Sequence, residues 1–358
     1  MKGYCILGKG KTGWRNDLPK PVPKPNDCII KPTAVCPCTS DIHIVDTLPP
    51  TYSHTIGAVL GHEGIGVVTD VGSEVKSLKV GDRVAGLGMF MDFRSMDSQA
   101  GLAQYNPDDS YPDRLAKFGG TFAESVYVYE ADSNLALIPD NVTDKQAVMV
   151  TDMMSTSFTQ AELANIQYGD TVVVIGVGPV GLMAICAARL KGAGRVIAVG
   201  SRKSCFDRAL IYGATDLVNY KNADIVEQIL TLTSGRKPDS VLVCGGGSEM
   251  IGKALKIVKF GGTISNVALF WGEDNTIFPN IDWGFGCVEQ KTITGTQVKG
   301  GRYWTEKMLN LVSYGRVDPS HLCSHEYYGF DKIEEAYFKM SDKADPELIK
   351  PVVYINDL

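Results

Sequence analysis

The sequence predicts an α/β protein in which a doubly wound parallel sheet is inserted into a mainly antiparallel β domain. Three observations predict this class. From about residue 155 to 297, short β-branched runs alternate with helix-like stretches, at a spacing that suits parallel strands joined by crossover helices. Residues 1–154 instead hold short strand candidates separated by Gly, Pro, Asn and Asp, as an irregular antiparallel domain does. Residues 298–358 return to mixed character, so the 155–297 block divides one domain into the parts 1–154 and 298–358. At 358 residues the chain exceeds the size at which one hydrophobic core stops growing, which also favours two domains.

In chain order, "CIIKPTAV", "HEGIGVVTDV", "GDRVAGL" and "TFAESVYVY" are the strand candidates of the first part. The inserted block opens with "TVVVIG" (171–176), a β-branched run of the kind buried on both faces. The apolar helical stretch "LMAICAARLKGA" follows, then "RVIAVG", the helix-like "KSCFDRALIYG", "TDLVNY", the helix-like "DIVEQILTLTSG" and "SVLVCGGG". The block continues with "EMIGKALKIVKFG" and "GTISNVAL", and a helix is expected near 302–313 in the last part.

Composition excludes several classes. A net charge of −6 with no dense Lys/Arg run argues against nucleic acid as a partner. The apolar run at the N-terminus is broken by Gly10 and Lys11, too early for a signal peptide. No later stretch approaches about 18 uninterrupted apolar residues, so no membrane association is expected and the location read from the sequence is cytoplasmic. The nine cysteines are scattered, with Cys186 and Cys244 inside apolar segments, which suits small core residues in a reducing compartment better than disulfides.

"VVVIGVGPVGLMA" places Gly176, Gly178 and Gly181 in G-x-G-x-x-G spacing. Gly176 permits a tight turn, Gly178 lets backbone approach a pyrophosphate, and Gly181 lets the helix lie close to the strand. Unpaired N–H groups of the helix N-terminus then face phosphate. Because the motif follows a strand and opens a helix, it reads as a dinucleotide site. The second strand ends in Gly200-Ser201-Arg202, where an NAD enzyme usually carries a carboxylate for the ribose. A small residue, a hydroxyl and a guanidinium suit a 2′-phosphate instead, so NADP is expected. Tyr220, closing the third strand, stacks near the adenine, touches that phosphate, or is an ordinary strand-end aromatic. Arg202 has a bland alternative too, as the mere start of the next helix.

"VCPCTSDIH" (35–43) supplies Cys38, Ser40 and His43, "LGHEGIG" supplies His62 and Glu63, and "VTDMM" supplies Asp152. Thiolate, imidazole and carboxylate are all zinc ligands, and a catalytic zinc takes three with one position open. Wide separation of Cys38, His62 and Asp152 suits a catalytic rather than a structural site. The spacing of Cys36 and Cys38 is one residue short of the usual redox C-x-x-C, and Cys36 reads as a core residue. Asp41 reads as a turn residue or helix cap. His54, His321 and His325 read as surface or packing residues.

With these motifs in place the chain resembles the zinc-containing medium-chain alcohol dehydrogenases, and more narrowly the NADP-dependent secondary alcohol dehydrogenases of anaerobic bacteria and amoebae. The resemblance runs nearly end to end through "PCTSDIH", "LGHEGIG", "VGSEV", "ADSNLALIP", "AVMVTDMM", "GPVGLM", "GAGRVIAVGSR", "YGATDLVNYKN", "GGRYWTEKM" and "LIKPVV". It implies a Rossmann domain inserted in a GroES-like catalytic domain, with Cys38, His62 and Asp152 as zinc ligands. Glu63 would be a carboxylate that enters or leaves the coordination shell. Ser40 and His43 match the hydroxyl and imidazole of a proton relay. Gly200, Ser201, Arg202 and Tyr220 match the 2′-phosphate pocket, and Val177, Gly178, Pro179 and Val180 the pyrophosphate loop. Val267, Leu269 and Lys343 match more peripheral cofactor contacts. The resemblance also implies a homotetramer acting on a small alcohol, ketone or aldehyde. No cysteine lies between residues 89 and 130, where a second, structural zinc would need four, so one catalytic ion is expected.

Departures cluster around the substrate. "GLGMFMDF" replaces the usual P-x-x-x-P-D-W, and "RLAKFGGTFAE" lacks a pocket tryptophan. "GTQVKGGR" sets Gln297 and Val298 where two pocket residues would lie. These changes leave a polyol or amino-alcohol dehydrogenase of the same fold as an alternative. A non-catalytic NADP-binding protein is the second alternative, disfavoured by the intact donor set.

Overall fold

The structure, a computed structural model, describes residues 1–87, 90–102, 111–269, 290–342 and 344–356. It divides into two compact units, Met1–Ser155 with Val298–Leu358, and Thr156–Gln297.

The first part of the chain forms β1 (Gly3–Gly8), β2 (Lys11–Arg15), β3 (Cys28–Val35), α1 (Thr39–Thr47), β4 (Gly64–Val71), β5 (Arg83–Leu87), α2 (Met96–Gln99), α3 (Tyr111–Phe118), β6 (Val126–Val128), α4 (Ala131–Asn134), β7 (Ala136–Leu137) and α5 (Asp144–Met149). The insert holds α6 (Ser155–Leu163), β8 (Thr171–Ile175), α7 (Pro179–Leu190), β9 (Arg195–Gly200), α8 (Lys203–Tyr212), β10 (Asp216–Asn219), α9 (Ile225–Leu232), β11 (Ser240–Val243), α10 (Glu249–Ile257), β12 (Thr263–Asn266) and β13 (Thr292–Gly295). The tail adds α11 (Arg302–Ser313), β14 (Cys323–Tyr328), α12 (Ile333–Ser341) and β15 (Lys350–Tyr354).

In the first unit a seven-stranded sheet runs β14-β15-β3-β4-β5-β7, with β6 also pairing β3. Its ladders are antiparallel except β14 with β15. Strand β15 from the tail pairs with β3 from the start, so the two ends of the chain build one sheet. The Tyr4 ring anchors a core beneath it, meeting Trp14 and Tyr337 edge-on at 5.2 and 5.5 Å.

In the second unit six parallel strands run β10-β9-β8-β11-β12-β13. Order reverses between β8 and β11, the place where a doubly wound sheet leaves a crevice for ligand. Val172, Val173 and Val174 of β8 are fully buried, as a strand covered on both faces requires. The sheet is thus mixed in one unit and parallel in the other. Strand β13 has no counterpart in the sequence reading, because its residues Thr292–Gly295 are largely exposed and carry no continuous apolar run. The candidate "TFAESVYVY" contracts to Val126–Val128. Among the described residues no helix is long and apolar enough to cross a membrane.

Candidate active site

Register gathers the first donors. Strands β3 and β4 pair antiparallel with Val35 opposite Gly64, so the residues following β3 meet those preceding β4. The Cys36 N–H donates to the Glu63 carbonyl at 3.2 Å and tightens this junction. Gly61 supplies the bend before His62: its φ is +94°, and a Cβ there would lie 2.5 Å from Phe122 and Thr121 side chains. Asp152 arrives from a different element, a π-helical turn (Val150–Met154) joining α5 to α6. The wider turn changes the angle at which side chains leave the helix, a device frequent at functional sites.

Together Cys38, His62, Glu63 and Asp152 offer donor atoms that all lie within 4.8 Å of one another. His62 Nε2 stands 3.6 Å from Asp152 Oδ2 and 3.9 Å from Glu63 Oε1. The side chains of His62 and Glu63 are 6% and 0% exposed, and that of Asp152 is 13% exposed. Glu63 Oε2 is buried with no hydrogen-bond partner. An orphaned carboxylate oxygen in such a place is costly unless a cation meets it. Sulfur, imidazole and two carboxylates suit zinc, so the residues present fit that ion.

Electrostatics support the fit. Burial raises the Cys38 thiol, but the Lys350 ammonium and His62 outweigh it and bring its pKa down to about 7. For Glu63 burial wins: its pKa lies well above the ordinary carboxylate range, despite the attraction of Lys350, with Cys38 and Asp152 adding repulsion. Burial lowers His62, yet the Asp41 carboxylate overcomes this and raises it. Three acidic donors therefore face one another in a dry place, which a divalent cation relieves.

Asp41 does more than cap a helix. Its Oδ2 accepts the Cys38 N–H at 2.8 Å, and its Oδ1 accepts from His62 Nδ1 at 3.0 Å. This fixes the His62 tautomer with Nε2 facing the other donors. Lys350, fully buried, forms a short ion pair with Glu63 Oε1. The pairing of Val353 with Val35 sets the start of β15 beside the end of β3, and the Lys350 charge acts on both Glu63 and Cys38. Sequence reasoning missed this lysine, although its position inside "LIKPVV", between apolar neighbours, is a signal that it needs a buried partner. Tyr111 was missed as well: its hydroxyl donates to Asp41, and its ring meets His62 edge-on at 4.5 Å.

Ser40 and His43 lie on α1, one turn apart and so on one face. The Ser40 hydroxyl is 3.7 Å from Cys38 Sγ. Cys36 is buried, with its thiol pKa raised well above the usual value by that burial. His54 pairs with Asp113 and His325 with Asp345, and neither histidine is among the four clustered donors. Phe93 packs so near Gly301 that a Cβ there would lie 2.3 Å from the ring. Gln297 is exposed and Val298 buried.

In the second unit a cavity of about 620 Å³ opens at the switch point between β8 and β11. Gly176, Val177, Gly178, Gly200, Ser201, Arg202 and Tyr220 line it. Gly176 has φ +91°, and a Cβ would lie 2.8 Å from the Gly245 N. A Cβ on Gly181 would lie 1.8 Å from the Gly176 carbonyl, so helix and strand pack at backbone distance there. A Cβ on Gly178 would meet nothing within 4 Å, which leaves room for a ligand's phosphates. Ser201 donates to the Tyr220 hydroxyl at 2.9 Å, joining two candidates for the 2′-phosphate. Pro179 and Val180 open α7 behind the loop, where the Val180 carbonyl accepts from Ser157 at 2.6 Å. Val267 and Leu269 follow β12 and do not line this cavity, and Lys343 lies outside the described residues. Asp224 and Lys253, paired at 3.0 Å, line it without having been singled out in the sequence.

The model of the alcohol dehydrogenase GroES-like domain matches residues 24–140, and that of the zinc-binding dehydrogenase matches residues 179–313. An NADP-dependent isopropanol dehydrogenase of Thermoanaerobacter brockii is 46% identical over 356 residues, covering 99% of this chain and 100% of that one. One from Clostridium beijerinckii is 46% identical with the same coverage. Among solved structures, alcohol dehydrogenase TADH from Thermus sp. ATN1 superposes with a TM-score of 0.86 at 25% identity, over 99% of this chain and 100% of that chain. The chain belongs to the zinc-binding, GroES-like alcohol dehydrogenases of the medium-chain type. It is an enzyme, an oxidoreductase of alcohols.

Proposed function

We propose that this enzyme interconverts small secondary alcohols and ketones with NADP, using a single zinc ion held by Cys38, His62 and Asp152, with Glu63 as an exchangeable fourth ligand. The observation that carries the reading is the buried four-donor cluster with its orphaned Glu63 oxygen. When bound, zinc supplies a positive charge that favours the alkoxide form of the alcohol, and NADP supplies the hydride acceptor.

The chain's own residues do the rest. Cys38 lends a thiolate, already favoured by Lys350 and His62. Asp41 holds His62 in the tautomer that leaves Nε2 free to ligate. Ser40 takes the alcohol proton from the reacting oxygen and passes it on to His43 on the same helix face. Arg202, Ser201 and Tyr220 grip the 2′-phosphate and thereby select NADP over NAD. The loop from Gly176 to Gly181 receives the pyrophosphate.

The absence of cysteine between residues 89 and 130 supports one zinc and no structural ion. A homotetramer rests on the resemblance, and a cytoplasmic location is in keeping with the described cysteines, which are all free of disulfides.

The test is the initial rate of carbonyl reduction across a small panel, with NADPH and NADH in parallel. Fast NADPH-dependent reduction of acetone or 2-butanone is expected. Turnover confined to polyhydroxylated carbonyls would instead assign a polyol dehydrogenase, and a preference for NADH would overturn the phosphate pocket.

A further inference from the structure

We propose that the hydroxyl of Tyr111 is a positioning group for the metal site, acting through Asp41 on both His62 and Cys38. The inference rests on the zinc reading above and extends it to a residue on a separate helix.

The geometry concentrates three donors on one buried carboxylate. Asp41 Oδ2 takes the Cys38 N–H at 2.8 Å, while Oδ1 takes both His62 Nδ1 at 3.0 Å and the Tyr111 hydroxyl. Asp41 is completely buried. A fully buried carboxylate is held in place by its donors, and each one removed leaves lone pairs unmet. Removing the tyrosine donor leaves Oδ1 with His62 alone, so the carboxylate can turn about its Oδ2 tether. The imidazole would follow, because Nδ1 is bound to the same oxygen.

Tyr111 is itself well fixed. It opens α3, and Asp113 on that helix pairs with His54 Nε2 at 3.0 Å on the turn formed by Pro50–Thr55. Its ring also abuts the imidazole, with centroids 4.5 Å apart and planes inclined at 63°. Ring and hydroxyl are thus separable contributions: the ring limits where His62 can swing, and the hydroxyl orients the carboxylate that aims it.

The experiment is a zinc titration of the full-length protein against a competing chelator, for the wild type, Tyr111→Phe, Asp41→Asn and the double variant. Urea unfolding of each metal-free variant is measured as a control for folding of the unit that holds the donors, and NADPH affinity as a control for the other unit. Phenylalanine keeps the ring and removes only the hydroxyl. Zinc binding is expected to weaken about tenfold in Tyr111→Phe, the lower end of what outer-shell partners contribute. NADPH affinity should stay unchanged. In the Asp41→Asn background, Tyr111→Phe should add less than about twofold, because the two act on one pathway. Visible absorption bands of the cobalt-substituted protein should shift in Tyr111→Phe, which ring packing alone would not cause. Zinc affinity equal to wild type in Tyr111→Phe overturns the proposal, as does an undiminished further loss in the Asp41→Asn background. Failure of the wild type to bind zinc overturns the metal reading itself, and is seen before any variant is compared.

Discussion

Lys350 shows what a single residue contributes at this site. Both it and Glu63 have side chains with no exposure, and the attraction of Glu63 holds the ammonium charged against its burial. Removing one member of a buried ion pair strands the other, at a cost of about 3–5 kcal/mol. Lys350→Met should therefore lower metal-free unfolding stability by about that amount, measured by urea titration. Adding Glu63→Met should restore most of the loss, since an apolar pair of similar volume is often neutral there. Asp152→Ala should abolish turnover and lower zinc content while NADPH still binds; full activity would remove Asp152 from the metal site. The donors were legible because thiol, imidazole and carboxylate announce their chemistry wherever they stand. Lys350 was not, because its partner lies 287 residues away and only the β15–β3 pairing brings them together. Tyr111 is hidden for the same reason, 70 residues from Asp41.

At the scale of elements, the β8–α7 turn separates folding from binding within one motif. A Cβ at Gly181 would meet a backbone carbonyl at 1.8 Å, whereas one at Gly178 would meet nothing. Gly181→Ala should therefore destabilise the protein by roughly 1–3 kcal/mol, because backbone cannot step aside. Gly178→Ala should leave stability within about 0.5 kcal/mol while weakening NADPH binding tenfold or more, since the new methyl occupies the phosphates' approach. Melting curves and fluorescence titration of the two variants check this contrast. The end of β9 gives a second case. Exchanging NADPH for NADH preference by Gly200→Asp with Arg202→Gly introduces a Cβ 2.2 Å from Val177 Cγ2. Val177→Ala should accompany it, and the triple variant should shift relative binding by about 2–4 kcal/mol toward NADH. The strand–helix alternation was readable because each element is local and strongly patterned. The π turn carrying Asp152 was not, since no residue spacing marks it; it is a feature of the helix as packed.

The molecule as a whole assigns its two chemical tasks to different units. All four metal donors belong to Met1–Ser155, while the cavity lining runs from Ile175 to Lys253 within Thr156–Gln297. Among the described residues none both belongs to the donor cluster and lines the cavity, so their occupancy can be tested separately. Stripping zinc with a chelator should abolish alcohol oxidation yet leave the NADPH dissociation constant within about twofold of the holoenzyme's. Cofactor at about 100 times that constant should stabilise the unit that binds it by about 2.7 kcal/mol, with or without metal. Calorimetry should then show NADPH raising one transition in the stripped protein as much as in the intact one, because a chain of two units need not unfold in one step. If removing zinc also removes NADPH binding, the two sites are energetically linked. Asp152 would then be the first residue to examine, since its π turn runs directly into α6, the helix with which the cofactor-binding unit begins.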